Sequence, residues 1–211
     1  FIKVFSYLPI AAIVNKTTFC IHGGLSPKLN HIDDINRLIH RPINDFEENA
    51  LLSDVIWSDP AHCSDLYVEN PRGKGYLFNR EAVANFLKNN NLIRIIRAHQ
   101  CVQNGSLKSF GDKCITVFSA SSYDKHMGNS SSVLELIQKD NSVEIITFCP
   151  IRRLQKNEAR YYKVQSLNSN DEKTQHYFSL LHPTLPSCAS FNLSNKYSKQ
   201  KSENVLVIKS I

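Results

Sequence analysis

Two short apolar runs in this chain each lead into a loop that contains a histidine, and this repeated arrangement constrains the fold more than any other feature of the sequence. The first run, 17–21, is followed by His22-Gly23-Gly24, and the second, 92–97, is followed by Ala98-His99-Gln100. Short β-branched or apolar runs that end in polar loops are typical of buried strands. The sequence therefore predicts strands that deliver the two histidines to a loop edge.

His22 and His99 are candidate metal ligands. His22 precedes two glycines, which let the backbone pass close to a metal or a phosphate, and His99 repeats the arrangement after the second run. One such histidine is more often structural or on the surface, but the pair favours a metal site. No Asp-rich loop in the sequence supplies the carboxylates that a dinuclear site requires. The sequence therefore predicts only part of such a site.

Two further side chains are candidates for phosphate chemistry. Arg72 follows Pro71 in a loop, where a planar guanidinium can hold phosphate oxygens in a bidentate manner, although alone it is an ordinary surface arginine. Tyr123 follows an apolar run at 114–119, where its phenol could border a pocket. Loop tyrosines are more often packing residues, so the two interpretations of Tyr123 stay open.

The remaining pattern predicts helices interposed between strands. Apolar residues recur at helical spacing in 32–39 and in 80–89. The runs 131–137 and 142–148 flank a polar turn and predict a hairpin. Strands with interposed helices indicate a layered α/β fold.

The composition is that of an ordinary globular domain with 42% hydrophobic and 21% charged residues among 211. No segment approaches the roughly 20 apolar residues of a membrane helix, so no membrane association is predicted. The cysteines form no Cys-x-x-Cys pair, which excludes a zinc ribbon and a thioredoxin-type motif. Reduced intracellular thiols are favoured over structural disulfides.

The positive charge of the chain lies near its C-terminal end. Residues 1–150 contain 15 Lys plus Arg and 15 Asp plus Glu, whereas 151–211 contain 10 and 4, which accounts for the net charge of +6. After about residue 166 Ser, Asn, Lys and Gln predominate and large apolar side chains are few. The sequence predicts a domain over 1–150 and a basic, largely flexible tail over 151–211, with a short strand-like end at 205–208.

Residues 152–163 combine basic side chains with two tyrosines, which is compatible with a weak contact to an acidic partner or a calmodulin-like contact. A solvated helix face is the favoured interpretation, because charge runs usually have that role. No specific nucleic-acid recognition is predicted for the tail.

Six separated motifs, in this order, resemble the phosphoprotein phosphatase family of serine/threonine phosphatases. They are Leu8-Pro9-Ile10-Ala11-Ala12, residues 20–27, Ile56-Trp57-Ser58-Asp59-Pro60, Arg72-Gly73, Arg97-Ala98-His99-Gln100 and Thr116-Val117-Phe118-Ser119-Ala120. Their order and spacing cover about 150 of the 211 residues, which is far more specific than any one motif. The resemblance implies an α/β metallophosphoesterase fold, a β-sandwich flanked by helices, of which this chain holds only the C-terminal portion.

The resemblance also implies roles for individual residues. His22 and His99 match the two histidine ligands of one metal, and Arg72 matches the arginine that holds the phosphate. Tyr123 matches a tyrosine in the loop that overhangs the site. Trp57 matches the tryptophan at the edge of a substrate groove, although packing in the core explains it equally well.

Members of the family use two divalent ions, with Mn, Fe or Zn expected here, and a metal-bridging water that attacks the phosphorus. The family motifs Gly-Asp-x-His-Gly, Gly-Asp-x-x-Asp-Arg-Gly and Gly-Asn-His-Glu are absent from this chain. They supply the other ligands, a second phosphate-binding arginine and the general-acid histidine. The chain starts at Phe1 and its only methionine is Met127, so we expect it to be the C-terminal part of a longer protein. On its own it is predicted to hold at most one partial metal site, to lack a general acid and to be inactive.

For the full-length parent, the resemblance implies a metal-dependent enzyme that hydrolyses phosphoserine and phosphothreonine. Its partners are then phosphoprotein substrates and regulatory subunits, in the cytoplasm or the nucleus. The alternative is a non-catalytic scaffold that keeps the phosphatase fold and binds partners through the basic tail. Intact Asp, Asn and His motifs in the upstream coding sequence would favour the enzyme.

Overall fold

The structure, a computed structural model, describes residues 1–45, 47, 49–123, 128–150 and a strand at 205–207. The helices are α1 (Ile2–Phe5), α2 (Asp33–Leu38), α3 (Ala50–Trp57) and α4 (Arg80–Asn89), with a 3-10 turn at Gly111–Lys113. The strands are β1 (Ala11–Val14), β2 (Thr18–Ile21), β3 (Asp59–Pro60), β4 (Tyr67–Glu69), β5 (Tyr76–Phe78), β6 (Arg94–Arg97), β7 (Ser106–Ser109), β8 (Cys114–Val117), β9 (Ser131–Leu136), β10 (Val143–Phe148) and β11 (Val205–Val207).

A six-stranded sheet in the order β11-β1-β2-β6-β8-β7 forms the centre of the fold. Strands β2, β6 and β8 are parallel to one another, whereas the outer strands are antiparallel to their neighbours. Phe19, Ile95 and Ile115 from the three parallel strands are fully buried. Burial on both faces is the usual environment of parallel strands and explains their apolar sequences.

The parallel strands bring three loops to one edge of the sheet. Cys20 of β2 lies opposite Ile96 of β6, and Ile96 lies opposite Ile115 of β8. Because parallel strands end on the same side, the loops after β2, β6 and β8 leave the sheet together. The Ala98 N–H donates to the His22 carbonyl at 2.9 Å, which continues the pairing of β2 and β6 into these loops.

A three-stranded sheet in the order β3-β5-β4 lies next to α3 and α4 in the sequence. Both helices have asparagine N-caps: the Asn49 side chain accepts from the Leu52 N–H, and the Asn79 side chain accepts from the Ala82 N–H. This sheet holds the turn that carries Arg72 between β4 and β5, and α3 ends at Trp57.

The predicted hairpin is confirmed, with β9 and β10 paired over their whole length from Ser131↔Phe148 to Leu136↔Val143. The Ser132 N–H donates to the Phe118 carbonyl at 2.9 Å and connects the hairpin to the loop after β8. The helices predicted at 32–39 and 80–89 are present as α2 and α4.

Sequence reasoning missed α3 and the three-stranded sheet. The strands of this sheet are only two or three residues long, too short for a period to be recognised. The strand-like end expected at 205–208 is present as β11, which pairs with β1 through Ala12↔Val207. The expected flexibility of the tail concerns residues outside those described.

Among the described residues, Cys20, Cys63, Cys101, Cys114 and Cys149 are free thiols. Burial raises the pKa of Cys20 and of Cys114 to about 11. None of the described helices combines the length and the apolar character needed to cross a membrane.

Candidate active site

His22 and His99 lie side by side at the loop edge of the large sheet. Their ring centroids are 5.3 Å apart and the rings are inclined by 68°. His99 adopts φ 58°, a left-handed conformation that is uncommon outside glycine and marks positions held by their surroundings. The structure thus brings together two histidines that are far apart in the sequence.

The Gly23-Gly24 pair explains how α3 reaches the histidines. Both glycine N–H groups donate to the Val55 carbonyl, at 2.9 and 3.1 Å. A Cβ atom on Gly23 would lie 2.3 Å from the Ile56 carbonyl oxygen, a distance that real Cβ atoms do not adopt. Glycine is therefore required for the end of α3 to approach this loop.

Trp57 ends α3 and forms a wall of the site. Its ring is edge-on to His99, with centroids 5.3 Å apart and an interplanar angle of 87°. The residue is half-buried and contacts a predicted metal ligand. Of the two interpretations of Trp57, the contact favours a position at the edge of the site over burial in the core.

Arg72 points its guanidinium at the histidine pair. Its Nη1 atom lies 2.9 Å from His99 Nε2 and 3.4 Å from Asp59 Oδ2. Since an arginine only donates, the Nε2 atom of His99 accepts in this arrangement. A metal bound through the same nitrogen would need the same lone pair, so ligation there would displace this contact.

Asp59 is the buried centre of the site, and its role was missed by the sequence reasoning. Its side chain is 3% exposed. One carboxylate oxygen accepts from Arg97 Nη2 at 2.7 Å, and the other accepts from Asn70 Nδ2 at 3.1 Å and from Arg72 Nη1 at 3.4 Å. One carboxylate thus orients two guanidinium groups, of which one faces the histidines.

Arg97 connects the loops from beneath. Its side chain has no solvent exposure, and it donates from Nε to the Gly23 carbonyl at 2.6 Å and from Nη2 to the Ser58 carbonyl at 3.1 Å. Burial lowers the pKa of Arg97, while the charge of Asp59 acts in the opposite direction. A charged residue that ends a buried strand, two positions before a candidate ligand, was the signal in the sequence that could have identified it.

The surroundings of both histidines favour the neutral imidazole by lowering its pKa. Partial burial lowers the pKa of His22, and the positive charge of Arg97 lowers it further. Partial burial also lowers the pKa of His99, although Asp59 opposes the shift. Neutral imidazole is the form that binds metal ions.

The donor set fits part of a metal site. Two imidazoles that share one tetrahedral ion at nitrogen distances of about 2 Å have ring centres roughly 5 Å apart, close to the separation of His22 and His99. Among the described residues, no group of three or more His, Cys, Asp or Glu side chains is arranged to hold a metal ion. The described part of the chain therefore brings two imidazoles together without a third such side chain beside them.

Tyr123 lies in the loop after β8, at the same edge of the sheet. Its ring is 61% exposed and packs edge-on against Phe118, with centroids 5.1 Å apart. Its backbone N–H donates to Asn129 Oδ1 at 2.9 Å. The ring contact of Tyr123 in the described part of the chain is with Phe118, so its expected position at the border of the site stays a prediction.

Residues 1–103 match the calcineurin-like phosphoesterase family. The chain is 39% identical over 139 residues to a protein phosphatase 2A catalytic subunit of Dictyostelium discoideum, an alignment that covers 66% of this chain and 44% of the relative. It is 42% identical over 134 residues to the serine/threonine-protein phosphatase 4 catalytic subunit of Saccharomyces cerevisiae, covering 64% and 42%. The chain thus spans less than half the length of these curated relatives.

The fold is similar to a solved structure of a protein serine/threonine phosphatase from Saccharomyces cerevisiae with similarity to human phosphatase PP5. The TM-score is 0.63 at 24% identity, over 72% of this chain and 50% of the solved chain. This likeness confirms the expected metallophosphoesterase fold. The family match over residues 1–103 and the two relatives, which are protein serine/threonine phosphatases, agree with the resemblance of the six motifs to the phosphoprotein phosphatase family.

Proposed function

We propose that this chain is part of a metal-dependent phosphatase that hydrolyses phosphoserine and phosphothreonine in proteins. The observation that carries the proposal is the meeting of His22, His99 and Arg72 at one sheet edge, with Arg72 Nη1 2.9 Å from His99 Nε2. Metal ligands beside a fixed guanidinium are suited to a phosphate monoester, because the ligands place the ion and the guanidinium binds the phosphate oxygens.

In this proposal His22 and His99 hold one divalent ion, for which Mn, Fe and Zn are candidates. When bound, a pair of such ions supplies Lewis-acid stabilisation and a bridging water as the nucleophile. Arg72 binds the non-bridging phosphate oxygens, and its half-exposed side chain leaves donors available for them. Tyr123 is proposed to border the site from the loop after β8.

Asp59 and Trp57 act on the geometry of the site. Asp59 accepts from Arg72 and from Arg97, so the phosphate-binding guanidinium is anchored to the buried frame of the sheet. A fixed guanidinium needs little reorganisation when charge develops on the phosphate. Trp57 covers one side of His99 and limits the access of bulk water.

The described residues do not supply two functions of a complete site. The described residues provide no carboxylate that bridges two ions near the histidines. In the family, a separate histidine protonates the leaving alkoxide, and such a proton transfer is typically worth about a hundredfold to ten-thousandfold in rate. We therefore propose that the activity belongs to a longer chain and that residues 1–211 alone are inactive.

The natural substrates are proposed to be phosphoproteins. The relatives are named as catalytic subunits, which supports regulatory subunits as further partners of this protein.

The test compares phosphatase turnover by purified residues 1–211 with turnover by the longest natural chain that contains them, both with added Mn²⁺. We expect turnover of a phosphothreonine peptide by the longer chain only. Its Arg72→Lys variant should lose most of this turnover, since lysine lacks the planar bidentate donor set. Its His99→Asn variant should lose most of it as well. Equal turnover by both chains would contradict the division of the site. A folded longer chain without turnover would instead support the scaffold alternative.

A further inference from the structure

A second cation stands beside the phosphate-binding arginine. Lys74 follows Arg72 by two residues, and its Nζ atom lies 5.7 Å from the centroid of the Trp57 ring. The same ring contacts His99 at 5.3 Å, so the ammonium lies within about 11 Å of the His99 ring. An extended chain advances about 3.3–3.6 Å per residue, so this upper limit corresponds to at most about three residues of a bound peptide.

The position of Lys74 is set by the backbone on both sides of it. Gly73 and Gly75 have φ values of 82° and 70°, which favour glycine. A Cβ atom on Gly75 would lie 2.6 Å from the Trp57 carbonyl carbon, so the turn packs directly against the end of α3. The lysine is therefore held over the tryptophan ring by a turn whose shape is defined.

A third cation continues the same rim. Lys28 Nζ lies 6.0 Å from the centroid of the Tyr76 ring, and Tyr76 follows Lys74 by two residues at the start of β5. Lys28 also belongs to the loop that follows His22. Two lysines thus lie over aromatic rings of the two segments, 57 and 76, that flank the Arg72 turn.

We infer that Lys74, supported by Lys28, recognises acidic residues within about three positions of the phosphorylated residue, so that this site favours phosphoprotein segments rich in Asp and Glu. The inference rests on the proposed function and specifies its substrate class. A carboxylate that reaches the Trp57 wall meets the ammonium of Lys74 while Arg72 holds the phosphate.

The ion pairs of Lys74 with Glu47 and of Lys28 with Asp54 are compatible with this role. Lys74 is ion-paired with Glu47, and both side chains are largely exposed, at 41% and 55%. Exposed ion pairs contribute little and exchange partners readily, so a substrate carboxylate can replace Glu47. Lys28 is 3.5 Å from Asp54, whose 11% exposed carboxylate also accepts from Ser26, so Lys28 is the more firmly held of the two lysines.

The experiment measures kcat/KM of the longest natural chain containing this sequence on two phosphothreonine peptides. One carries Asp at the second and third positions on both sides of the phosphothreonine, and the other carries Asn there. We expect the acidic peptide to be favoured about two- to fivefold at low salt, the range typical of exposed charge pairs. The preference should decrease as ionic strength rises.

Three variants separate recognition from structural support. In Lys74→Ala the ratio of the two kcat/KM values should approach one, and in Lys74→Glu it should reverse. Glu47→Gln removes the competing carboxylate, so it should raise the ratio, whereas a merely structural ion pair would make it behave like Lys74→Ala. Lys88→Ala, at the far end of α4, is the matched control and should keep the wild-type ratio.

Equal kcat/KM on both peptides in the wild type, or an unchanged ratio in Lys74→Glu, would overturn the inference while leaving the proposed function intact. Turnover of neither peptide by a folded protein would overturn the proposed function, and the inference with it.

Discussion

The two ends of β6 carry the same residue type in different environments. Arg97, at the end that faces the histidines, and Arg94, at the other end, are both buried, with 1% and 9% exposure. Arg97 is paired with the buried Asp59 at 2.7 Å. Arg94 instead donates to the Asn141 carbonyl in the turn of the hairpin, and its Nε atom has no partner within the described structure.

This difference shows what a buried arginine does in each place. At the site end, the Asp59 carboxylate neutralises the charge of Arg97 and also binds Arg72. The half-exposed guanidinium of Arg72 is therefore held in place by a buried ion pair. At the other end the guanidinium joins a strand to a hairpin turn, and the Asp112 carboxylate acts on it only through its longer-range field. The first arrangement is suited to function, whereas the second is suited to packing.

The largest loss in the free energy of unfolding is expected from Arg97→Met. The change leaves the Asp59 carboxylate buried without its closest cation, and removing one partner of a buried pair costs about 3–5 kcal/mol. Arg94→Met, in the same strand, removes no partner of a buried carboxylate but one hydrogen bond to the Asn141 carbonyl, and should lower the free energy of unfolding by about 1.5 kcal/mol or less. Urea unfolding of both variants measures the difference. Equal destabilisation would show that side-chain volume, and not charge pairing, distinguishes the two ends.

The second largest loss in the free energy of unfolding is expected from Asp59→Asn. The substitution keeps the size and one acceptor oxygen but removes the charge shared by Arg72 and Arg97, and hydrogen bonds to charged groups contribute about 1.5–3 kcal/mol. Unfolding measurements should show a loss in this range, and the affinity for inorganic phosphate should fall because Arg72 is less well oriented. Asp65→Asn, at an exposed position, is the control and should stay within about 0.5 kcal/mol of the wild type.

Gly23→Ala tests the approach of α3 to the histidines. The added Cβ atom would be 2.3 Å from the Ile56 carbonyl oxygen, and relieving such an overlap costs about 1–3 kcal/mol. Trp57 is the only tryptophan of the chain, so its fluorescence reports the displacement of α3. Gly111→Ala, outside the turn that carries Lys74, meets no atom within 4 Å and should leave that emission unchanged, although its φ of 72° makes alanine unfavourable by about 1–2 kcal/mol. Unchanged emission in Gly23→Ala would contradict the role given to this glycine.

The smallest loss in the free energy of unfolding is expected from Thr17→Val, at the end of β6 that carries Arg94. The hydroxyl of Thr17 donates to Asn141 Oδ1 at 3.0 Å, in the turn that also binds Arg94. Loss of one partly buried hydrogen bond costs about 0.5–1.5 kcal/mol. Amide hydrogen exchange should become faster in the hairpin turn while the loops of His22 and His99 keep their protection. Faster exchange in both regions would show that the two ends of the sheet are coupled.

The strands at the centre of the sheet were readable from local sequence, because burial on both faces requires continuous apolar runs. This holds for β2, β6 and β8 and for the helix α4 with its helical spacing of apolar residues. The positions of His22 and His99 at strand ends follow from the same pattern. Local propensity therefore predicted the part of the fold in which each residue's environment depends on its near neighbours.

The sequence by itself determined that two histidine loops and an arginine loop exist, whereas only the tertiary structure decided how they are held. Asp59 meets Arg97 across 38 positions, and Arg97 reaches the Gly23 carbonyl across 74. The Lys74 ammonium lies over the Trp57 ring only because Gly75 packs on the end of α3. A polar side chain selects its partner by distance and burial in the folded chain, and neither quantity is contained in the residues that surround it in the sequence.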